Sequence, residues 1–224
     1  MVGGLMETIF DQTLYVGFGA PNAGKGTALK AAQLKIRCAK FGYLSTGDYI
    51  RSVLGLLKQA TRGEVTLHDP FLLSLIDKLK KTEKGELFSA QNYKDLLLRG
   101  LVECFDYSQL KPGCPFFLDG GIREPYQFDV VREICEAWGY KRFVMLNFKM
   151  TSALEWDERR KGRLSIEGRA DDEFEIACKK YVLHLMSEEL VLPLCESKGF
   201  ELIEINAHQP PNMVLSELIT VIYR

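Results

Sequence analysis

The segment Gly19–Thr27 carries the residue types that bind phosphate. Its sequence, GAPNAGKGT, follows the apolar run LYVGF and precedes a helical pattern. Phosphate recognition needs backbone N–H groups turned toward the anion, which glycines permit because they adopt positive φ. A helix N-terminus adds unpaired N–H donors, Lys25 can reach phosphate oxygens, and Thr27 can face the shell of a magnesium ion. The G-x4-G-K spacing therefore predicts a nucleotide phosphate site rather than an ordinary glycine-rich turn.

Five short apolar runs are predicted to be strands that hold this loop. The runs are Leu14–Phe18, Tyr43–Ser45, Pro115–Leu118, Arg142–Phe148 and Phe200–Ile205. Runs such as FFLD and FVMLNF are apolar at successive positions, which is typical of strands covered on both faces in a parallel sheet. Because helical patterns lie between the runs, the sequence predicts an α/β layered fold with right-handed crossovers.

Composition and charge exclude several classes of protein. The 224 residues are 46% hydrophobic and 26% charged, values that favour a globular core over a disordered chain. A net charge of -1 lacks the basic surplus of a nucleic-acid binder. No apolar run approaches the roughly 20 residues of a membrane helix, and the first residues do not resemble a secretory signal. The six cysteines have no metal-ligand spacing and suit a reducing compartment, so we expect a cytoplasmic protein without a membrane or nucleic-acid partner.

The loop GAPNAGKGT resembles that of the adenylate kinases and related nucleoside monophosphate kinases. The Gly-Thr pair after Lys25 carries this likeness, because other phosphate loops place Ser or Thr directly after the lysine. Asn22 stands where the family usually has glycine, and asparagine tolerates left-handed backbone angles better than most residues. Near the end of the chain, INAHQPPNMV resembles the family's loop that meets the ATP base. The resemblance implies an ATP site formed by Asn22, Ala23, Gly24, Lys25, Gly26, Thr27, Arg159 and Gln209.

The segment Leu44–Arg51, LSTGDYIR, resembles the family's monophosphate-binding segment. The resemblance implies that Thr46 faces the adenine of AMP and that Arg51 binds its α-phosphate. From the residues alone, Ser45 or Thr46 followed by Asp48 is also an ordinary helix N-terminus, and Arg51 can be a solvated side chain. The segment follows the second strand, where open α/β sheets bind ligands, and this position favours the binding role.

The segment KGELFSAQ resembles the part of the family whose backbone receives the AMP base, at Glu86, Leu87 and Phe88. RGEV at residues 62–65 is a rival for the same role. Either segment can also be a plain turn before a helix. The later one is preferred because its distance to the third strand is closer to the family's.

The segment PFFLDGGIREPYQ resembles the family's strand motif Asp-Gly-Phe-Pro-Arg. The resemblance implies that Asp119 orients magnesium-bound water, Arg123 clamps phosphate and Gln127 reads the adenine edge of AMP. Asp119 can otherwise be a helix cap. Gly121 and Ile122 replace the Phe-Pro of the family. The family's proline fixes a tight turn, so in this chain something other than a proline must hold Arg123 in place.

The polar segment DERRKGRLSIEGRADD resembles the short form of the adenylate kinase lid. The resemblance implies that Arg159 stacks on the ATP base, that Arg163 and Arg169 reach its phosphates, and that Asp171 and Asp172 hold the arginines. Planar guanidinium groups suit the spread-out charge of a transferring phosphoryl group. The alternative is a solvated charged loop with two acids in the first turn of a helix.

Lys180 lies where the family usually has another phosphate-clamping arginine. A lysine keeps the charge but loses bidentate geometry, so weaker stabilisation of the transition state is expected. The three histidines form no cluster in the sequence and receive no catalytic role. The catalytic residues implied by the resemblance are Lys25, Arg123, Arg163, Arg169 and Lys180.

The resemblance implies a P-loop nucleotide-binding fold, with one core domain over residues 1–224 and a five-stranded parallel sheet flanked by helices. A helical monophosphate-binding insert is expected at 46–90 and a short lid at 158–171. The implied activity is reversible transfer of a phosphoryl group from Mg-ATP to AMP, giving two ADP, by a monomer. Two alternatives remain: a kinase for UMP, CMP or another monophosphate, and a nucleotide-binding module with weakened catalysis, which the departures at Asn22, Gly121, Ile122 and Lys180 motivate.

Overall fold

Strands and helices alternate along the chain, as the apolar runs predict. The computed structural model describes residues 12–36, 40–64, 66, 70, 90–168 and 172–224. The strands within these ranges are β1 (Thr13–Gly19), β2 (Gly42–Ser45), β3 (Phe116–Asp119), β4 (Arg142–Lys149) and β5 (Glu201–Asn206). The helices within them are α1 (Lys25–Lys35), α2 (Thr46–Thr61), α3 (Ala90–Ser108), α4 (Pro125–Ala137), α5 (Ala153–Glu167), α6 (Phe174–Val191) and α7 (Pro211–Ile222).

The five strands form one parallel sheet in the order β2-β3-β1-β4-β5. Each strand begins and ends within one residue of the predicted run. Parallel strands place all their carboxyl ends at the same edge, so the residues that follow β1, β2 and β3 meet there. The predicted five-stranded parallel sheet flanked by helices is therefore confirmed.

Two hydrophobic cores cover the two faces of the sheet. On one face Tyr15 and Phe117 pack with Leu29 and Ala32 of α1 and with side chains of α7. On the other face the neighbouring strand residues pack against α3 and α4. Alternate residues of a strand point to opposite faces, which explains why successive apolar residues are all buried. No helix in the described part of the chain is long and apolar enough to cross a membrane.

The segments expected to form an insert and a lid are described in part. Residues 46–61 of the expected insert form α2, whose N-terminus is capped by Ser45 Oγ accepting from the backbone N–H of Asp48 at 3.2 Å. The ordinary helix start is thus present alongside the predicted binding segment. Residues 158–167 of the expected lid belong to α5, which ends at Gly168 in the left-handed conformation that glycine favours at a helix end. Residues 71–89 and 169–171 lie outside the described residues.

Candidate nucleotide site

The glycine-rich loop, residues 19–24, joins β1 to the N-terminus of α1. Gly19 has φ 139°, and a Cβ atom there would lie 2.6 Å from the carbonyl oxygen of Phe148 on β4. Gly24 has φ 83° and directly precedes α1, whose first N–H groups have no partner within the helix. The Lys25 amine donates to the carbonyl oxygens of Gly19 and Ala20, both at 2.7 Å. The loop therefore combines backbone donors, a helix dipole and a lysine at one point.

Asp119 lies at the end of β3 beside this loop. Its Oδ2 accepts a hydrogen bond from the Tyr43 hydroxyl at 3.0 Å. A Cβ atom on Gly26 would lie 2.9 Å from the same oxygen, so only glycine lets α1 approach the carboxylate this closely. Burial raises the pKa of Tyr43 above its ordinary value, and the charge of Asp119 raises it further. Tyr43 therefore stays protonated and fixes the orientation of the Asp119 carboxylate.

Cationic side chains from separate elements converge around Lys25. Burial is the main cause that lowers the pKa of Lys25 to about 8; the charge of Asp119 opposes the shift and those of Arg123 and Arg163 contribute to it. The protein around the Arg123 guanidinium lowers its pKa; the charge of Asp119 opposes this shift and the charge of Arg51 adds to it. Electrostatic interactions thus link four of the predicted phosphate-contacting cations, with Arg123 and Arg163 acting on Lys25 and Arg51 acting on Arg123. Such a cluster favours polyanionic ligands.

A cleft of about 600 Å³ opens on one side of the glycine-rich loop. Its volume suits a nucleotide-sized ligand. The predicted ATP-site residues that line it are Asn22, Ala23, Gly24, Thr27, Arg159 and Gln209. The opposite wall is formed by the loop after β5 and by α7, including Pro210, Pro211 and Leu215. The cleft therefore has a polar end at the loop and an apolar side wall.

Arg159 is held at the wall of this cleft by a network that includes a histidine. One of its terminal nitrogens donates to Glu155 Oε1 at 2.5 Å and to the carbonyl oxygen of Ala207 at 2.7 Å. His208 Nε2 accepts from the backbone N–H of Thr151 at 2.8 Å, so the ring proton lies on Nδ1, which donates to Glu155 Oε2 at 2.6 Å. Partial burial raises the pKa of Glu155, but the hydrogen bond from His208 and the charge of Arg159 outweigh it and lower the pKa below its ordinary value. Glu155 is therefore ionised, and its carboxylate orients Arg159.

If the cleft holds ATP, as the resemblance implies, the Glu155→Gln variant should weaken ATP binding about 2- to 5-fold, because a half-buried ion pair contributes modestly to the orientation of Arg159. The measurement is ATP titration by calorimetry. Glu158→Gln is the matched control, since Glu158 is an exposed acid on the same helix. Equal weakening in both variants would contradict a specific role for Glu155.

Asp172 holds the next arginine of α5. The buried carboxylate accepts from Arg163 at both oxygens, with Nε to Oδ2 at 2.6 Å. The carbonyl oxygen of Asp172 accepts from Arg160, a buried arginine that also donates to Asp157 Oδ1 at 2.8 Å. Asp172 thus fixes Arg163 within range of Lys25, as expected for an acid that holds the arginines.

The residues predicted to bind AMP are brought together in part. The Thr46 hydroxyl donates to the carbonyl oxygens of Asp119 at 3.2 Å and Gly120 at 2.8 Å, which ties the start of α2 to the end of β3. Thr46 also lines a small apolar cavity of about 20 Å³, room for a water molecule rather than a purine. Arg51 pairs with Asp48 at 2.5 Å on the same helix.

The turn before α4 is built without the family's proline. A Cβ atom on Gly121 would lie 2.4 Å from the Leu118 side chain, and Ile122 is buried in the core beside the turn. Gln127 Oε1 accepts from the backbone N–H groups of Arg123 at 2.5 Å and Glu124 at 3.0 Å. Close packing and this cap therefore hold the backbone of Arg123. Because Oε1 already accepts these two hydrogen bonds, Nε2 is the Gln127 atom that would contact a nucleotide base, and it would act as a donor.

Several predicted residues cannot be assigned a place. Glu86, Leu87, Phe88, Arg169 and Asp171 lie outside the described residues.

Lys180 is half-buried on α6, one helical turn before His184 and so on the same helix face. Burial, with the charges of Lys25 and Arg123 contributing, lowers the pKa of His184 to about 4. The face of α6 that carries Lys180 and His184 is thus turned toward the cation cluster.

Histidines and one acid of the site were missed by sequence reasoning. His208 precedes the predicted Gln209 by one residue, and its partner Glu155 is distant in the sequence, so no local pattern joins them. His184 packs against Phe18 of β1 with ring centroids 5.2 Å apart and the ring planes tilted by 49°, and burial keeps the imidazole neutral. A detectable signal was the position of Glu155 four residues before Arg159, a spacing that pairs opposite charges on a helix.

The described residues contain no group of three or more His, Cys, Asp or Glu side chains that would hold a metal ion by themselves. The Asp119 carboxylate lies beside Gly26 of α1, the residue before Thr27. Magnesium in phosphate sites keeps several waters and takes few protein ligands, so these two side chains fit an ion held mainly by phosphates.

Comparison with known proteins gives no assignment. No protein-family model matches the chain, and no curated protein matches it significantly. The case for function therefore depends on the residues and geometry of the chain itself.

Proposed function

We propose that the chain transfers a phosphoryl group reversibly between Mg-ATP and AMP, as an adenylate kinase does. The observation that carries the proposal is the position of the 600 Å³ cleft against the glycine-rich loop and the start of α1, the helix that also carries Lys25. Six residues expected at an ATP site line this one cleft. The order of motifs along the chain supports the same activity.

Under this proposal the donor nucleotide extends from the cleft to the loop. The base and ribose occupy the cleft, where Arg159 and the wall of Pro210, Pro211 and Leu215 offer a planar cation and apolar contact. The phosphate chain lies against the loop N–H groups and the start of α1. The acceptor AMP lies on the side of Arg51 and Thr46, so the two phosphate chains meet between them.

Catalysis in this arrangement is positioning with fixed positive charge. Lys25, Arg123 and Arg163 surround the place where the phosphoryl group is transferred; Asp172 holds the Arg163 guanidinium and Gln127 holds the backbone of Arg123 before the ligand arrives. Preorganised charge of this kind stabilises the charge on the equatorial oxygens of the transition state. A bound magnesium ion would neutralise phosphate charge, with Asp119 and Thr27 in its outer shell. No general base is required, because the attacking phosphate oxygen is already ionised.

The experiment is a panel of acceptors with ATP as donor: AMP, GMP, CMP, UMP and no acceptor. We expect transfer to AMP at least about 10²-fold more efficient in kcat/KM than to CMP or UMP, because pyrimidines leave buried polar groups unpaired. Preference for a pyrimidine acceptor would assign the chain to a sibling kinase. ATP binding without transfer to any acceptor would favour a binding module, which the departures at Asn22 and Lys180 would then explain.

Gln127→Glu tests the acceptor base within the same panel. Glutamate keeps the oxygen that caps α4 but lacks the Nε2 donor, so folding is retained while the contact to adenine is lost. We expect the preference for AMP to shrink more than the rate with the best acceptor. An unchanged preference would remove Gln127 from the AMP site.

ATP affinity is expected to fall as pH rises above about 8. The free protein loses the Lys25 charge near this pH, because the pKa of Lys25 is lowered to about 8. Bound phosphate favours the charged lysine and raises its pKa, so binding takes up a proton and weakens up to about tenfold per pH unit above pH 8. Titrations between pH 7 and pH 10 measure this slope. The same slope in Lys25→Met would contradict the assignment to Lys25.

A further inference from the structure

Asn22 has a side chain that the fold leaves unsatisfied. Both its amide nitrogen Nδ2 and its oxygen Oδ1 are buried, and neither has a hydrogen-bond partner within the described part of the chain. The residue nevertheless lines the cleft, two positions before the N-cap of α1. A buried amide without partners destabilises a folded protein, since both groups were hydrated in the unfolded chain.

The backbone at this position does not require an asparagine. Asn22 has φ 66°, a left-handed conformation that glycine adopts without strain. Glycine would also remove the two unsatisfied polar atoms. The carboxamide therefore brings a disadvantage to the empty site that its backbone conformation does not explain. A ligand that supplies the missing partners would offset that disadvantage.

We infer that the Asn22 carboxamide binds the phosphate chain of the donor nucleotide, with Nδ2 donating to a phosphate oxygen. This inference rests on the proposed function. A phosphate is the partner that the surroundings favour, because Asn22 lies in the loop that also carries Lys25 and the first N–H groups of α1. The base end of the cleft is lined instead by Pro210, Pro211 and Leu215. Oδ1 accepts from a water molecule that hydrates the bound phosphate.

The contact requires a local rearrangement that Lys25 shares. The Lys25 amine is bonded to the loop carbonyls of Gly19 and Ala20, and the Asn22 amide is covered. Both groups must turn toward the anion when it enters the loop. Asn22 thereby adds a neutral donor to a site that already contains several cations, and it makes binding selective for the polyphosphate rather than for the nucleoside.

The experiment compares two variants, Asn22→Asp and Asn22→Gly, in magnesium-free buffer with EDTA. Aspartate keeps the shape and tolerates the left-handed backbone, but it replaces the donor by a negative oxygen. Glycine keeps the backbone and removes the amide. The probes are inorganic tripolyphosphate, ATP and adenosine, each titrated by calorimetry. Omitting magnesium prevents the new carboxylate from recruiting the ion and masking its repulsion of phosphate.

We expect tripolyphosphate and ATP to bind about 10-fold more weakly to Asn22→Gly, and at least about 100-fold more weakly to Asn22→Asp. Adenosine should bind both variants within about 3-fold of wild type, because it carries no phosphate. Asn212→Asp is the matched control, since Asn212 is an exposed asparagine on α7 at the far side of the same cleft. Its effect on tripolyphosphate should stay below about 3-fold.

Melting of the ligand-free variants checks the fold. Asn22→Gly should melt at or above the wild-type temperature, because two unsatisfied polar atoms are removed. Wild-type binding of ATP with no loss in either variant would overturn the inference and leave the proposed function standing. Equal loss of adenosine and tripolyphosphate would also overturn it, because the loss would then come from a damaged loop. Failure of the wild type to bind either ATP or tripolyphosphate would overturn both.

Discussion

Replacing Lys25 by methionine is expected to lower the rate of phosphoryl transfer by about 10²- to 10³-fold without unfolding the protein. The lysine amine is the cation closest to the loop, and methionine keeps the length of the side chain while removing the charge that stabilises the transferring phosphoryl group. Turnover with ATP and AMP measures the loss. Lys35→Met is the matched control, because Lys35 is an exposed lysine in the last turn of the same helix.

The melting temperature of Lys25→Met should stay within a few degrees of wild type at pH 7. The folded protein lowers the pKa of Lys25 to about 8, so the charged lysine opposes folding below that pH. Methionine removes this penalty, which offsets the loss of the two bonds to the carbonyls of Gly19 and Ala20. Near wild-type turnover in the variant would contradict the role of Lys25. So would a melting temperature so low that unfolding of the variant accounts for its lost turnover.

Asp172→Ala is expected to destabilise the protein by about 3 kcal/mol, the low end of the range for breaking a buried ion pair. Asp172 is buried, and the variant leaves Arg163 without the carboxylate that both ends of its guanidinium contact. Because the Arg163 side chain remains 28% exposed, water replaces part of the lost interaction. The expected fall in melting temperature is roughly 6 to 12 °C for a chain of this size.

Asp157→Ala is the control for this prediction. Asp157 also pairs with basic side chains of α5, the buried Arg160 and the exposed Lys161, but Arg160 keeps its bond to the Asp172 carbonyl oxygen when the Asp157 carboxylate is removed. Asp157→Ala should therefore lower the melting temperature by less than Asp172→Ala does. Two variants of equal stability would show that the Asp172 pair does not anchor Arg163. Turnover of Asp172→Ala, measured at a temperature where the variant remains folded, should also fall because the Arg163 guanidinium is no longer held in position.

The sheet was predictable because its strands are buried on both faces. In a chain of this composition, a continuous apolar run such as FFLD has few structural interpretations other than a buried strand. The turns and helical patterns between the runs then indicated an α/β architecture. Asp119 was recognisable as a site residue because it ends such a run next to glycines. Its partner Tyr43, on a different strand, was not recognisable, since the hydrogen bond depends on the strand order that only the folded sheet provides.

The residues that line the cleft were predicted more fully than their supporting contacts. Arg159 and Gln209 could be placed from local motifs, and both line the cleft. The contact between Glu155 and His208 could not be predicted. The two residues are far apart in the sequence and meet only because the loop after β5 packs beside α5 in the fold. The replacement of the family's proline by Ile122 raised a question about Arg123 that local sequence could not answer. Burial of Ile122 and the cap from Gln127 provide the physical answer.

Phosphorus NMR of the purified chain with equimolar ATP and AMP, in the presence of magnesium, tests the central claim most directly. We predict that the ATP and AMP signals fall together and that two ADP form for each AMP consumed, with no inorganic phosphate, in wild type and not in Lys25→Met. Inorganic phosphate appearing in place of ADP, or spectra that remain unchanged over hours at micromolar protein, would contradict the proposed transfer.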